Sequence, residues 1–361
     1  MEWRKVKLGE IAEFKTGKLN SNAAVEGGKY PFFTCAPTPL SINEYAFDQQ
    51  AILLAGNNAE GNFALNYYNG KFNAYQRTYV ITPLNNTDIK YLYYSLSICL
   101  KNFKVLSQGT STRFLTMGIL SSFDLSLPPL PTQRRIAAIL SSLDAQIENN
   151  NRINRNLEAQ AQALFKSWFV DFAPWGGVMP EGWKEGNIYD VAEILDKKRV
   201  PLSGMEREKM KKIYPYYGAT SIMDYVEKYI FDGRYTLLGE DGSVVKEDGT
   251  PYVQYVWGKF WVNNHAHVLI GKNGFSTELL YVWLKQINII PLVTGAVQAK
   301  LSQSNMQKMH ITIPDDEFLQ KICSTLDGLF AQIRTNTEAN LRLASLRDTL
   351  LPKLMKGEIE V

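Results

Sequence analysis

The strongest constraint on the fold is an internal duplication. The motif Ile11-Ala12-Glu13 recurs 180 residues later as Val191-Ala192-Glu193, and Gly70-Lys71-Phe72 recurs 188 residues later as Gly258-Lys259-Phe260. The changing offset indicates short insertions in loops, as in diverged copies of one domain. Because this period is too long for a solenoid repeat, the sequence predicts two similar domains. A length of 361 residues also suits more than one hydrophobic core.

Each copy ends in a long stretch whose apolar residues alternate in steps of four and three, the seam pattern of a coiled coil. We expect the two helices to pair, antiparallel because each follows its own domain, as a separator of roughly 60 Å. Asn154 and Asn340 stand within the seams, where polar residues fix register. A helix packed only on its own domain is the alternative. The predicted seam residues are Ile136, Leu140, Leu143, Ile147, Leu157 and Leu164, followed in the second helix by Ile322, Leu326, Leu329, Ile333, Leu343 and Leu350.

The predicted fold class is α+β. Short β runs such as Ala51–Leu54, frequent turn pairs such as Asn69-Gly70, and one helix mark each mixed domain. Two such domains, separated by the two long antiparallel helices, give a pseudo-twofold internal repeat. The predicted boundaries are 1–130 for the first domain, 131–174 for the first helix, 175–315 for the second domain with its linker, and 316–361 for the second helix and tail.

Composition excludes several classes of protein. With 45% hydrophobic and 21% charged residues, the chain is predicted to be globular. Its apolar runs are too short for a membrane-spanning helix. Three scattered cysteines form neither a disulfide framework nor a zinc clip, which predicts a cytoplasmic protein. The net charge of +3 neither demands nor excludes nucleic acid. His265 and His267 alternate, and structural roles are favoured over metal ligation.

Polar and basic side chains cluster in matching loops of the two copies. Arg, Lys, Asn, Gln and Ser are the side chains that pair with base edges and phosphates. Such loops are equally often solvated turns, so the pattern alone leaves both interpretations open. The candidate DNA-binding residues are Lys71, Gln76, Arg77, Gln108, Ser111 and Arg113 in the first copy, and Lys259, Asn263, His265, Gln298 and Lys300 in the second.

Motifs for catalysis are missing from the sequence. Gly258-Lys259 is followed by phenylalanine and lacks the earlier glycine of a phosphate-binding P-loop. Leu54–Gly61 lacks the spacing of a dinucleotide-binding turn, and no G-x-S-x-G elbow occurs. The acidic run Pro314–Glu317 fits a helix N-terminus better than a nuclease centre. We therefore predict no catalytic residue and no metal or cofactor held by this chain.

Together these motifs resemble the specificity subunit of type I restriction–modification systems. The most specific segments are Leu127–Asp144, Ala163–Phe172, Met179–Trp183 and Arg347–Ile359. The resemblance implies two target-recognition domains, each binding one half of a bipartite DNA site, and helices that dock two methyltransferase subunits. It further implies restriction and translocase subunits as partners, with S-adenosylmethionine, ATP and Mg belonging to those partners. The second helix begins Ile313–Gln320, without the Pro-Pro-Leu-Pro entry of the first, which argues against equal docking at both ends.

Two other classes remain as alternatives. A protein scaffold would use the same domains to bind partner proteins without contacting bases. An enzyme in its own right is disfavoured by the missing motifs. If the domains do bind DNA, the differences between Tyr75–Arg77 and Asn263–His265 predict two unlike half-sites and an asymmetric full site.

Overall fold

The structure, a computed structural model, describes residues 3–84, 86–295 and 298–361. The chain forms two compact units, residues 1–149 with 339–361 and residues 150–338. The long helices are α4 (Leu130–Phe165) and α9 (Asp316–Met355), and each contributes one stretch to each unit. Both begin close to the predicted positions. The first ends earlier than the predicted residue 174, in one π turn over Lys166–Val170.

The first unit contains a six-stranded sheet. Its strands are β1 (Arg4–Lys7), β2 (Ala12–Thr16), β3 (Tyr30–Phe33), β4 (Leu40–Ile42), β5 (Phe47–Ala55), β6 (Asn57–Asn58), β7 (Leu65–Ala74), β8 (Thr78–Pro83), β9 (Arg113–Phe114) and β10 (Asp124–Leu127). The sheet has the order β2-β8-β5-β7-β3-β4, antiparallel except between β7 and β3. Strands β1 and β10 form a separate pair, as do β6 and β9. The short helices are α1 (Leu8–Ile11), α2 (Ile89–Leu106) and α3 (Met117–Ser121).

The second unit repeats this topology. Its strands are β11 (Lys184–Asn187), β12 (Ala192–Ile194), β13 (Tyr214–Tyr217), β14 (Ile222–Val226), β15 (Phe231–Gly239), β16 (Val253–Val262), β17 (Ala266–Gly271) and β18 (His310–Ile313). Their order, β12-β17-β15-β16-β13-β14, matches the first sheet strand for strand, including the single parallel pair β16 and β13. Strands β11 and β18 pair separately. The short helices are α5 (Ile188–Val191), α6 (Gly204–Glu208), α7 (Thr277–Leu284) and α8 (Gln303–Met306).

The second half of the central strand β5, residues 51–55, is buried on both faces. Ile52 and Leu54 belong to the core that includes α2, while Ala51 and Leu53 belong to a second cluster on the other side of the sheet. A strand covered on both faces needs a continuous apolar run instead of an alternating one. This requirement explains the run of apolar residues that the sequence shows in β5.

In the first unit, the two long helices pack on each other and on the domain. Ile136 and Leu140 of α4 share a core with Leu354 of α9 and with the domain's own apolar residues. Arg347 Nη1 of α9 donates to Asp144 Oδ1 of α4 at 2.8 Å. The helix stretches therefore contact both the domain and each other.

In the second unit, the helix pair has a polar centre. Asn336 Nδ2 donates to Asn154 Oδ1 at 2.9 Å, and Asn154 Nδ2 donates to Thr337 Oγ1 at 3.1 Å. Ala161 and Leu326 join the apolar core of the same unit. A polar pair between helices fixes their register, which gives these asparagines a physical role. Among the predicted seam residues, the buried ones are Ile136, Leu140, Leu143, Ile322 and Leu326, and the partly exposed ones are Ile147, Leu157, Leu164, Leu329, Ile333, Leu343 and Leu350.

A buried carboxylate ties α7 to the sheet and to α9 in the second unit. Glu278 Oε1 accepts from Arg234 at 2.8 Å, from Arg334 at 3.2 Å and from the Tyr255 hydroxyl at 2.6 Å. Its Oε2 and the Asp327 Oδ1 are both buried without a donor among the described residues. The two carboxyl groups satisfy each other when one holds a proton. Burial, and then the charge of Glu278, raise the pKa of Asp327 to about 6.

Replacing Asp327 with Asn is expected to remove part of the pH dependence of stability. The pKa of Asp327 is about 6 when folded and about 3.9 when unfolded, so a bound proton favours the folded state. This stabilisation is complete below about pH 4 and is lost as the pH rises through about 6. An amide does not ionise, so Asp327→Asn should gain stability relative to the wild type between about pH 5 and about pH 8. Urea denaturation at about pH 5 and about pH 8 measures the free energy of unfolding of both proteins. The exposed Asp232→Asn is the control. If the difference in stability between variant and wild type does not change with pH, the two carboxyl groups do not share a proton.

Candidate nucleic-acid interface

Two loops meet at the end of the central strand in each unit. In the first unit, Gly56 follows β5, and its N–H donates to the Arg77 carbonyl at 2.7 Å. The Gly56 carbonyl accepts from the Leu115 N–H at 2.8 Å. In the second unit, Glu240 follows β15 and makes both equivalent backbone bonds, at 2.9 and 2.8 Å. The two polar loops, which contain Arg77 and Gln108 in the first unit and His265 and Gln298 in the second, therefore form one surface in each unit. We call this surface the loop cluster.

The second loop of each cluster is held closed by paired backbone bonds and a glycine. Gln108 and Phe114 exchange N–H···O bonds of 3.0 and 2.8 Å. Between them, Gly109 has a φ of +98°, which side-chain-bearing residues rarely adopt. A Cβ at this position would lie 2.2 Å from the Thr112 carbonyl oxygen. The second unit repeats the arrangement with Gly295, at a φ of +99°. Glycine is therefore required at both positions.

Different side chains support this loop from the neighbouring strand in the two units. In the first, the Tyr79 hydroxyl donates to the Leu115 carbonyl at 2.9 Å. In the second, His267 lies at the equivalent position, and its Nε2 donates to the Leu301 carbonyl at 2.8 Å. The equivalent carbonyl therefore accepts a side-chain hydrogen bond in both units, from a phenol in the first and from an imidazole in the second.

Asp196, Glu240 and His267 place three metal-ligand atoms within 4.8 Å of one another. Protein groups already bond these side chains, since Arg199 Nη1 lies 2.7 Å from Glu240 and Gln303 Nε2 lies 2.6 Å from Asp196. Burial would raise the pKa of Asp196, but hydrogen bonds from His267, a backbone N–H and Gln303 outweigh it and lower the pKa. The Arg199 guanidinium places a positive charge 3.4 Å from Asp196 and 2.7 Å from Glu240. We therefore assign this cluster a structural role beneath the loop cluster.

Most of the predicted residues of the first unit lie in its loop cluster. Gln76 donates from Nε2 to Asn20 Oδ1 at 2.7 Å, and Arg113 donates from Nη1 to a carbonyl near the end of α2 at 3.3 Å. Lys71 lies on β7 instead, with its ammonium 4.7 Å from the centre of the Tyr45 ring. The exposed members of the predicted set are Lys71, Gln76, Arg77, Gln108 and Ser111.

The second unit shows a related arrangement. His265 Nδ1 bonds Asp241, and the Lys300 ammonium lies 3.6 Å from Glu240. Lys259 stacks over a tyrosine at 4.7 Å, as Lys71 does in the first unit. Gln298 is exposed. All four side chains reach the surface of the unit, and an acidic neighbour accompanies His265 and Lys300, which makes this loop cluster less basic than the first.

Asn263, predicted to contact DNA, is buried. Its side chain is only 3% exposed, donates to Met223 Sδ at 3.1 Å and accepts from the His265 N–H at 2.8 Å. It therefore holds the turn in shape instead of facing outward. The next residue, Asn264, is exposed and is equivalent to Gln76 at the 188-residue offset. Strict use of that offset would have selected Asn264.

An asparagine-rich segment that was not predicted from the sequence completes the first loop cluster. Strand β6, Asn57–Asn58, pairs with β9, which contains Arg113. The Asn58 side chain accepts from the N–H groups of Glu60 and Asn62 at 2.9 and 3.0 Å. Lys104 Nζ donates to Asn62 Oδ1 at 2.9 Å. The sequence signal for this segment is the pair of asparagines that follows Gly56 at the end of a buried strand.

These features define a duplicated protein, with two sheet domains of one topology that each present a polar loop cluster. None of the helices formed by the described residues has the length and apolar character needed to cross a bilayer. A family model described as the type I restriction modification DNA specificity domain matches residues 1–159 and 180–344. The chain therefore belongs to the type I restriction–modification DNA specificity family.

Individual relatives agree with this assignment. The chain is 39% identical to the type I restriction enzyme EcoDI specificity subunit of Escherichia coli, over 99% of this chain and 89% of the relative. It is 27% identical to the MjaIX specificity subunit of Methanocaldococcus jannaschii, over 78% of this chain and 71% of the relative. Its fold is similar to the crystal structure of a type I restriction–modification S subunit from M. genitalium, with 18% identity, a TM-score of 0.64, and coverage of 98% and 96%.

Proposed function

We propose that the loop cluster of each unit binds one half of a bipartite DNA site for a type I restriction–modification complex. The observation that carries this proposal is the convergence of two polar loops on the backbone of Gly56, repeated at Glu240. Base edges are recognised by side chains held on a fixed frame, and these backbone bonds supply one. The exposed side chains Arg77 and Gln108 in the first unit differ from those at the matching positions of the second. We therefore propose that the two half-sites differ and that the full site is asymmetric.

We further propose that the long helices act as an antiparallel, coiled-coil spacer with pseudo-twofold symmetry. In this proposal they hold the two domains roughly 60 Å apart and dock two methyltransferase subunits. Helix contacts within each unit, Asn154 with Asn336 and Asp144 with Arg347, support the pairing. The chain would supply no catalytic group. S-adenosylmethionine, ATP and Mg would bind to the methyltransferase and to the restriction and translocase subunits.

Arg77→Ala is expected to relax base preference at one position of one half-site. Arg77 is exposed, and loss of a bidentate contact to a base costs roughly 1–3 kcal/mol. Methylated adenines would be mapped in a host that carries this chain and its methyltransferase, for the wild type and the variant. Lys29→Ala, an exposed cation of the same unit outside the loop cluster, is the control. An unchanged methylation pattern in Arg77→Ala would favour a protein scaffold that contacts no bases.

A further inference from the structure

The second unit carries a basic insertion that the first unit lacks. Residues 197–212 are four residues longer than the equivalent segment 17–28, because the repeat offset changes from 180 to 184 across it. The longer segment contains seven Lys or Arg and two Glu, whereas 17–28 contains one Lys and one Glu. The rest of the chain after residue 180 has 15 Lys or Arg against 21 Asp or Glu. We call residues 197–212 the basic arm.

Six of the seven cations of the basic arm fall into two groups. Arg207 and Lys212 both pair with Asp224, each at 2.8 Å, and so fix the arm to β14. The remaining lysines are exposed, and no ion pair between described residues involves them. An exposed cation without an acidic partner is available to bind an anion. These lysines are Lys197, Lys198, Lys209 and Lys211.

The start of the basic arm is joined to the loop cluster of the same unit. The Arg199 side chain is 12% exposed, and its Nη1 lies 2.7 Å from both the Ala266 carbonyl and Glu240 Oε2. The next residue, Val200, accepts from the Trp261 indole N–H at 2.6 Å. The arm therefore begins at a fixed place beside the surface proposed to contact bases. A freely solvated charged loop would not need these buried attachments.

We propose that the basic arm binds backbone phosphates of DNA next to the half-site contacted by the second unit. This inference rests on the proposed function and adds to it a contribution that is independent of sequence. Lysine ammonium groups bind phosphates as point charges, so they add affinity and salt dependence without selecting bases. The shorter, neutral segment 17–28 gives the first unit no equivalent. The two half-sites are therefore bound with unequal electrostatic contributions.

The test measures DNA binding by the complex with its methyltransferase subunits, as a function of salt. One duplex carries the site mapped from methylated adenines, and a second of equal length carries a scrambled sequence. For Lys209→Ala/Lys211→Ala, the slope of log affinity against log salt should fall by about 2, near 0.9 per phosphate contact. Between about 50 and 200 mM salt, the variant should then lose about tenfold less affinity than the wild type. Both duplexes should be affected equally.

Two controls isolate the arm. Lys184→Ala/Lys308→Ala removes two exposed lysines of the same unit near the β11–β18 pair and should leave the slope unchanged. Lys209→Arg/Lys211→Arg keeps the charges and should behave as the wild type. If the alanine variant keeps the wild-type slope and the preference for the mapped site, the proposed phosphate contact of the basic arm is wrong. The proposed function is then unaffected. Weaker assembly with methyltransferase subunits at an unchanged slope also overturns it, since the arm then contacts protein. A wild-type complex without preference for the mapped duplex overturns the proposed function itself.

Discussion

Gly109→Ala should abolish methylation of the target site while leaving the first unit folded. Alanine at a φ of +98° is strained, and its Cβ would lie 2.2 Å from the Thr112 carbonyl oxygen. The loop must then open, which breaks the backbone bonds between Gln108 and Phe114 and displaces Ser111. Each lost base contact costs roughly 1–3 kcal/mol, so losing the contacts of one loop lowers specific affinity by about a hundredfold or more.

The chain offers a matched control for this substitution. Gly118→Ala lies in α3 of the same unit, and its Cβ would be 3.8 Å from the nearest atom, the Thr116 hydroxyl. Methylation by that variant should equal the wild type. Gly295→Ala should reproduce the loss through the second unit, because its Cβ would lie 2.1 Å from the Gln298 carbonyl oxygen. Methylation is measured in cells and folding by thermal unfolding. Full methylation by Gly109→Ala would show that this loop makes no base contact.

Features that depend on local sequence were predictable. The helices α4 and α9 were predicted from apolar residues spaced in alternating steps of four and three. The duplicated strands β5 and β15 were predicted from short apolar runs. The convergence of loops at Gly56 was not predictable, because it depends on backbone bonds between segments separated by 21 and 59 residues. The burial of the Asn263 side chain was likewise not predictable from the sequence. An asparagine in a turn looks the same in sequence whether its amide bonds a base or the neighbouring Met223.

The two units also have residues of opposite charge at equivalent positions. In the second unit, the layer between α7 and α9 contains Glu278 and Arg334. At the same offsets, the first unit has Lys90 and Glu148. There the Lys90 ammonium lies 3.4 Å from the centre of the Tyr67 ring, and the surrounding cavity measures about 700 Å³. Conserving the topology therefore does not conserve the chemistry that fixes each domain to its helices, which sequence periodicity alone could not show.

Glu278→Ala should lower the free energy of unfolding of the second unit by about 3 kcal/mol. Removing one member of a buried charge network leaves its partners uncompensated, at a cost of roughly 3–5 kcal/mol. The lower end applies because the Arg234 side chain is 46% exposed and can be resolvated, whereas Arg334 is only 19% exposed. Glu278→Gln should lose less, since its amide oxygen still accepts from Tyr255. Urea denaturation measures the change, with the exposed Glu193→Ala of β12 as control.

The same substitution should also change the behaviour of Asp327. With the Glu278 carboxylate gone, Asp327 faces the two arginines without a competing negative charge, so its pKa should fall from about 6. The variant should therefore not show the loss of stability that the wild type shows between about pH 4 and 6. A loss below about 1 kcal/mol, in the range of an exposed ion pair, would contradict the network. So would a variant that keeps the wild-type pH dependence, because Asp327 would then owe its raised pKa to burial alone.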